Sequence, residues 1–322
     1  MPLFPPIEPY ASGMLDVGDD QSVYWECCGN PHGQPALYLH GGPGGGIGTG
    51  ARRYFDPKKY CVVLFDQRGC GRSRPSAADP LTDLSVNTTQ HLIADIEELR
   101  ELHEVQAWTV LGTSWGSTLG LAYAQAHPER VNGLVLAAVT TTSAREVQWI
   151  TEDVGRLFPR EWERFTGAVP ERLRTGRLID AYATMLNEPD PSVREHAARE
   201  WCLWEDAHVS LTPGGHRPHP RYQDPDFRYL FARLVTHYWS NAAFLPDGQL
   251  SQDIATLNGI PGTMIHGRYD ISGPLDTAWR LHQRWETSEL RVIDDAGHGG
   301  TETFTNAVVD ALDSTALTSG TC

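Results

Sequence analysis

Ser114 stands at the centre of Gly112-Thr113-Ser114-Trp115-Gly116, a Gly-x-Ser-x-Gly motif. A serine hydroxyl is a weak nucleophile near neutral pH. It attacks a carbonyl carbon only when a neighbouring base removes its proton, and that base must itself be oriented by a third group. Two residues far down the chain have the right types. His298, in Ala296-Gly297-His298-Gly299-Gly300, offers an imidazole that takes the proton and returns it to the leaving group. Asp270, closing His266-Gly267-Arg268-Tyr269-Asp270, offers a carboxylate that holds the imidazole in one tautomer and stabilises its charged form. The sequence carries 13 histidines, so residue type alone decides little. Position decides, because both residues follow an apolar run and lie in glycine-flanked turns. Asp294 and Asp295 compete with Asp270, but they share the run that carries His298 and read as caps of its turn.

Acyl transfer also needs two backbone donors for the developing oxyanion. Trp115, the residue after the nucleophile, supplies one amide. The second belongs in the run His40-Gly41-Gly42-Pro43-Gly44-Gly45-Gly46. A phosphate loop would end in Gly-Lys-Ser/Thr, which is missing here. Gly46-x-Gly48-x-x-Ala51, with Asp66 further on, fits a weak dinucleotide fingerprint, but His40–Gly44 intervenes between the strand end and the first glycine. An oxyanion loop with Gly42 as donor fits best, because it requires a nucleophile elsewhere and Ser114 provides one. Asp66-Gln67-Arg68-Gly69-Cys70-Gly71-Arg72-Ser73 forms a second polar, glycine-rich turn. Its Asp66 and Arg68 read as a charged network pinning the loops. This chemistry calls for no metal and no organic cofactor.

These groups need rigid carriers. Trp108–Leu111 reads as a buried strand and Thr118–Ala124 as a helix, and strand, tight turn, helix is the setting that makes the serine motif a nucleophile elbow. Ala36–His40, Tyr60–Phe65, Val131–Ala137, Gly262–His266 and Glu289–Ile293 read as further core strands. Asn87 and Thr88 cap a helix running to Glu101, with Leu92, Ile93, Ile96 and Leu99 as its apolar stripe. Residues 1–35 read as an N-terminal hairpin with a strand at Ser22–Cys27 and a turn at Gly29–Gly33. A helix around Thr303–Leu312 closes the sheet, and the last dozen residues are expected to fray. Parallel strands bring Ser114, Asp270 and His298 to one sheet edge, in the chain order expected of an α/β-hydrolase. The expected fold is therefore α/β: a mostly parallel central sheet flanked by helices.

From Ser143 to Leu245 the texture changes. Strand-like runs stop and helical patterns take over at Arg145–Arg156, Pro191–Trp204 and Phe227–Trp239. The stretch is too long for a loop within a compact domain and reads as a helical cap inserted after the sixth strand. The expected organisation is a first core part at 1–142, the cap at 143–245 and a second core part at 246–322.

Totals narrow the partners. With 41 acidic against 26 basic residues in 322, the net charge is −15, a surface that repels nucleic acid and anionic membranes. Hydrophobic content of 40% suits a full globular core. Cys27, Cys28, Cys61, Cys70, Cys202 and Cys322 match neither a zinc pattern nor a disulfide framework, which points to a reducing, cytoplasmic location. The amino terminus lacks the basic and apolar regions of a signal peptide, and no run approaches transmembrane length.

Taken together, these motifs resemble the prolyl aminopeptidase (proline iminopeptidase) family of α/β-hydrolase serine peptidases. The resemblance is carried by His40–Gly45, Asp66–Ser73, Gly112–Leu119, Ala122–Val131, His266–Asp270 and Ala296–His298, which span most of the chain. It implies release of an N-terminal proline through an acyl-enzyme, from a small peptide or amide with a free N-terminal amine. It also implies cap glutamates that bind this cationic amine. Trp201-x-x-Trp204-Glu205 matches the first such position, so Glu205 is the candidate substrate anchor; a desolvated cation needs a fixed carboxylate close by. Val235, two residues before His237-Tyr238, stands where the second acid is expected, and the loop after Asp270 departs as Ile271-Ser272-Gly273-Pro274. Both departures bear on strictness for proline. An esterase or amidase acting on a small secondary metabolite, and a silent binding protein of the same fold, are the alternatives; the complete Ser, Asp, His set argues against the last.

Overall fold

The structure, a computed structural model, describes residues 1–212, 214–216 and 218–318. Its central sheet grows from short runs of β-branched, leucine and aromatic residues. The strands are β1 Ala11–Asp16, β2 Ser22–Gly29, β3 Gln34–Leu39, β4 Tyr60–Phe65, β5 Trp108–Thr113 and β6 Val131–Ala137. After a long helical segment, which holds the two-residue strands β7 Leu211–Thr212 and β8 Gly215–His216, come β9 Gly262–Gly267 and β10 Ser288–Ile293. Among the described residues the main sheet has eight strands in the order β1-β2-β4-β3-β5-β6-β9-β10. β2 pairs antiparallel with both β1 and β4 and the other pairs are parallel, so the carboxyl ends of β3, β4, β5, β6, β9 and β10 share one edge.

The inner strands of the main sheet feed two cores. Leu37 and Leu39 face one apolar cluster while Ala36 and Tyr38 face the other; Val63 and Phe65 alternate likewise with Val62 and Leu64. Full burial of each Leu, Val or Phe among them contributes about 1.5–3 kcal/mol relative to exposure. On the first face lie α1 Thr89–Leu102 and α2 Trp115–Ala126. Thr88 caps α1 by accepting from the His91 amide, and Leu92, Ile96 and Leu99 are buried beneath it, with Ile93 half-buried.

Between β6 and β9 run α3 Ala144–Thr151, α4 Pro159–Gly167, α5 Leu178–Leu186, α6 Pro191–Val209 and α7 Pro225–Ser240. They bury a cluster of their own. At its heart Phe165 stacks on Tyr182 at 4.4 Å and on Trp204 at 5.1 Å between ring centroids. Such pairs add about 0.5–1.5 kcal/mol each beyond the area they bury. The chain then returns to the sheet through α8 Gln249–Gln252, α9 Asp276–His282 and α10 Glu302–Thr318.

Two expectations need correction. The N-terminal hairpin is β1 with β2, and the turn at 29–33 instead joins β2 to β3, with β4 lying between them in the sheet. β1 was invisible as a strand because its residues alternate only between half-buried and exposed. The last dozen residues do not fray from Ala311: α10 reaches Thr318, Ala311 and Leu312 are buried, and the Tyr60 hydroxyl donates to Leu312 O at 2.6 Å. Cys322 lies outside the described residues.

Candidate active site

The turn between β5 and α2 is sharp enough to force Ser114 to φ 55°, ψ −123°. A non-glycine residue held there costs about 1–3 kcal/mol, which the surrounding structure must offset. It does so partly through the Ser114 amide, which donates to Ala137 O on β6 at 2.8 Å. Close packing dictates the flanking glycines: a Cβ on Gly116 would strike Leu39 O, and one on Gly112 would strike Gly116 O. The serine is thereby lifted to the rim of the sheet, at the head of a helix that is buried along most of its length.

The three residues separated in sequence meet at this rim. His298 Nε2 lies 2.9 Å from Ser114 Oγ, and His298 Nδ1 lies 2.8 Å from Asp270 Oδ2. In the tautomer that completes both bonds, Nδ1–H donates to Asp270 and Nε2 accepts from the serine hydroxyl. Asp270 is 5% exposed, and its second oxygen accepts from the Gly273 amide at 2.9 Å. Burial works to raise Asp270, but the His298 charge, its hydrogen bond and His266 outweigh it and hold the carboxyl below its ordinary range. Burial works to lower His298, but the Asp270 charge and hydrogen bond, with Glu205 behind them, raise it above its ordinary value. His266 shapes the loop that presents Asp270, accepting from the Val139 amide at 3.1 Å and donating to Gly273 O at 2.6 Å. Asp294 and Asp295 turn elsewhere, to Arg268 and Thr303.

The glycine loop borders the serine. Gly42 adopts φ 123°, open only to glycine, and lines one cavity together with Ser114 and Trp115. Neither the Gly42 nor the Trp115 amide is spent on a backbone acceptor among the described residues. A relay of polar contacts fixes the two against each other. His40 donates to Gly41 O at 2.9 Å and accepts from the Gln67 amide at 3.1 Å; Gln67 Oε1 in turn accepts from Trp115 Nε1 at 2.9 Å. Asp66 and Arg68 act behind this relay. Asp66 accepts from the Ile47 and Arg72 amides, and Arg68 grips Asp95 with Nη2 at 2.7 Å and Nε at 2.8 Å.

The cavity has a volume of about 310 Å³ and two acids in its wall, Glu205 and Glu146. Glu146 is committed: it accepts from Thr140, Thr141, Ser143 and Thr277. Glu205 is freer. Its Oε2 accepts from Trp201 Nε1 at 2.9 Å, it is 8% exposed, and burial pushes its carboxyl up to about 7 against the hydrogen bonds of Trp201 and Tyr222. Val235 is fully buried in the helical segment's apolar cluster. It sits on α7 midway along the helical stripe Phe227, Phe231, Val235, Trp239, whose three aromatic members line the cavity. The sequence reading missed that stripe, although its spacing of four on a helical pattern was the available signal. It also missed Arg221, Tyr222 and the buried pair His208–Ser272, joined at 2.9 Å, all of which line the cavity. No local pattern marks those.

A family model described as alpha/beta hydrolase fold matches residues 35–303, and with the parallel sheet this defines the class as an α/β hydrolase. A protein of Streptomyces coelicolor described as "Probable proline iminopeptidase" is 52% identical over 317 residues, covering 97% of each chain. The proline iminopeptidase of Arabidopsis thaliana is 43% identical over 302 residues, 93% of this chain and 78% of that one. The chain belongs to the proline iminopeptidase family of α/β hydrolases. Among solved structures, the proline iminopeptidase of Mycobacterium smegmatis superposes with a TM-score of 0.62 at 20% identity, covering 96% of this chain and all of that one, a likeness of fold.

Proposed function

We propose that this protein is a serine aminopeptidase that releases an N-terminal residue, proline above all, from short peptides or amides. Ser114 attacks the scissile carbonyl as His298 takes its proton, and Asp270 steadies the imidazolium. The amides of Gly42 and Trp115 receive the oxyanion, His298 protonates the departing amine, and water then releases the acyl group by the same steps in reverse. Glu205 holds the free amino terminus, and the segment 143–245 acts as a cap that confines substrates to those with a free end. One observation carries the reading: the hydrogen-bonded series Ser114–His298–Asp270 opens into the same cavity as a buried carboxylate with room for a cation. Family membership at 52% and 43% identity supports it. The five described cysteines are free, which supports a cytoplasmic location, and among the described residues no helix is long and apolar enough to cross a membrane.

A panel of fluorogenic substrates tests the reading: a prolyl-amide, an alanyl-amide, an N-blocked prolyl-amide and a simple aryl ester. Prolyl-amide turnover that disappears on N-blocking and in Ser114→Ala is the expected result. Turnover of the ester alone would replace the peptidase with an esterase, a reading favoured by the apolar stripe that includes Val235.

A further inference from the structure

Arg221 lines the cavity that holds Ser114 and Glu205, in a chain whose net charge is −15. Its guanidinium lies over the Phe227 ring, 3.7 Å from the centroid, and donates through Nη1 to Gly45 O. Gly45 in turn donates to Gly41 O at 3.1 Å, and Gly41 packs against Ser114, so the cation stands beside the loop that borders the nucleophile. Among the described residues no carboxylate forms an ion pair with it. The two acids whose fields reach it are engaged elsewhere. Asp66 pairs with Arg72 at 2.9 Å, and Asp224 caps α7 by accepting from the Asp226 amide at 3.0 Å. Stacking on an aromatic face and a single carbonyl contact leave most of the five guanidinium N–H donors open to the cavity mouth.

Building on the aminopeptidase reading, we propose that Arg221 binds the free carboxylate of a very short peptide, so that the preferred substrate is a dipeptide zwitterion. Glu205 takes its ammonium end, Arg221 its carboxylate end, and the scissile carbonyl lies between them at Ser114. A planar guanidinium matches a carboxylate in two parallel hydrogen bonds, a geometry that an amide terminus lacks. Because Arg221 is exposed, the contact is screened by salt.

The test compares prolyl-alanine with prolyl-alanine amide, in the full-length wild type and in Arg221→Gln, with a prolyl-arylamide alongside. Wild type is expected to favour the free acid in kcat/KM by roughly five- to twentyfold, through KM, and less so at high salt. In Arg221→Gln the ratio of acid to amide falls to about one, whatever happens to their common rate; Arg221→Lys keeps part of it. A wild-type ratio of one overturns the inference, as does a ratio that survives in Arg221→Gln. Wild type inert toward the prolyl-arylamide and both peptides overturns the aminopeptidase reading first, and this inference with it.

Discussion

Trp201, one turn earlier on α6, donates through Nε1 to Glu205 Oε2 at 2.9 Å and so helps hold a carboxylate that is only 8% exposed in the cavity wall. An anion kept there without a partner is destabilising until a cation arrives. Two consequences follow for Glu205→Gln. Substrates carrying a free amine should lose at least tenfold in kcat/KM, while a neutral aryl ester changes little. The variant should also unfold at a higher temperature at pH 8, with no gain at pH 4. The sign is fixed by the raised carboxyl: protonation favours the folded state, so the penalty is absent below the unfolded value and complete above about 7. Calorimetry at the two pH values checks it.

Glu205 also acts with Asp270 on the pH profile. His298 must be neutral to act as base, and Asp270 and Glu205 both raise it, so ester hydrolysis should fall as pH drops through a value above the ordinary imidazole range. Asp270→Asn is expected to cost about 10⁴-fold in kcat and to move this acid limb to lower pH. Glu205→Gln should move it in the same direction by a smaller step. Ester kinetics from pH 5 to 9 measure both shifts.

Gly42→Ala probes the proposed oxyanion loop. A Cβ there would lie 2.5 Å from Gly44 N and 2.7 Å from Gly45 N, and φ 123° is hostile to any side chain. The loop must shift, and kcat should fall about a hundred- to thousandfold on amide and ester alike. A selective effect on amine-bearing substrates would assign Gly42 to substrate binding instead.

Val235→Glu places an acid where the family resemblance implies a second one. Val235 has no exposed surface and sits among apolar neighbours, so the new carboxyl should lower the melting temperature at neutral pH. Burial raises such a carboxyl, so the loss should be greatest at high pH and shrink below about pH 4, where protonation in both states leaves only the cost of burying a larger, polar side chain. Any gain in prolyl over alanyl turnover would be measured on the same preparation.

The part of this molecule that was legible in advance is the part written in local pattern. Gly112-Thr113-Ser114-Trp115-Gly116 betrays its elbow because a side chain at Gly116 would strike Leu39 O and one at Gly112 would strike Gly116 O. Asp270 and His298 could be found because apolar runs precede them and glycines follow. Arg221, Tyr222 and the His208–Ser272 pair could not, since only the folded chain brings these distant segments to one cavity wall. β1 was hidden for a related reason: an edge strand half-covered by its neighbours needs few apolar residues.

Ser114 and His298 are separated by 184 positions, and the imidazole arrives on the last strand's exit loop. A growing chain therefore displays Ser114 long before anything can deprotonate it. In the proposed mechanism a fragment ending before β10 lacks the base, so efficient hydrolysis waits on completion of the chain.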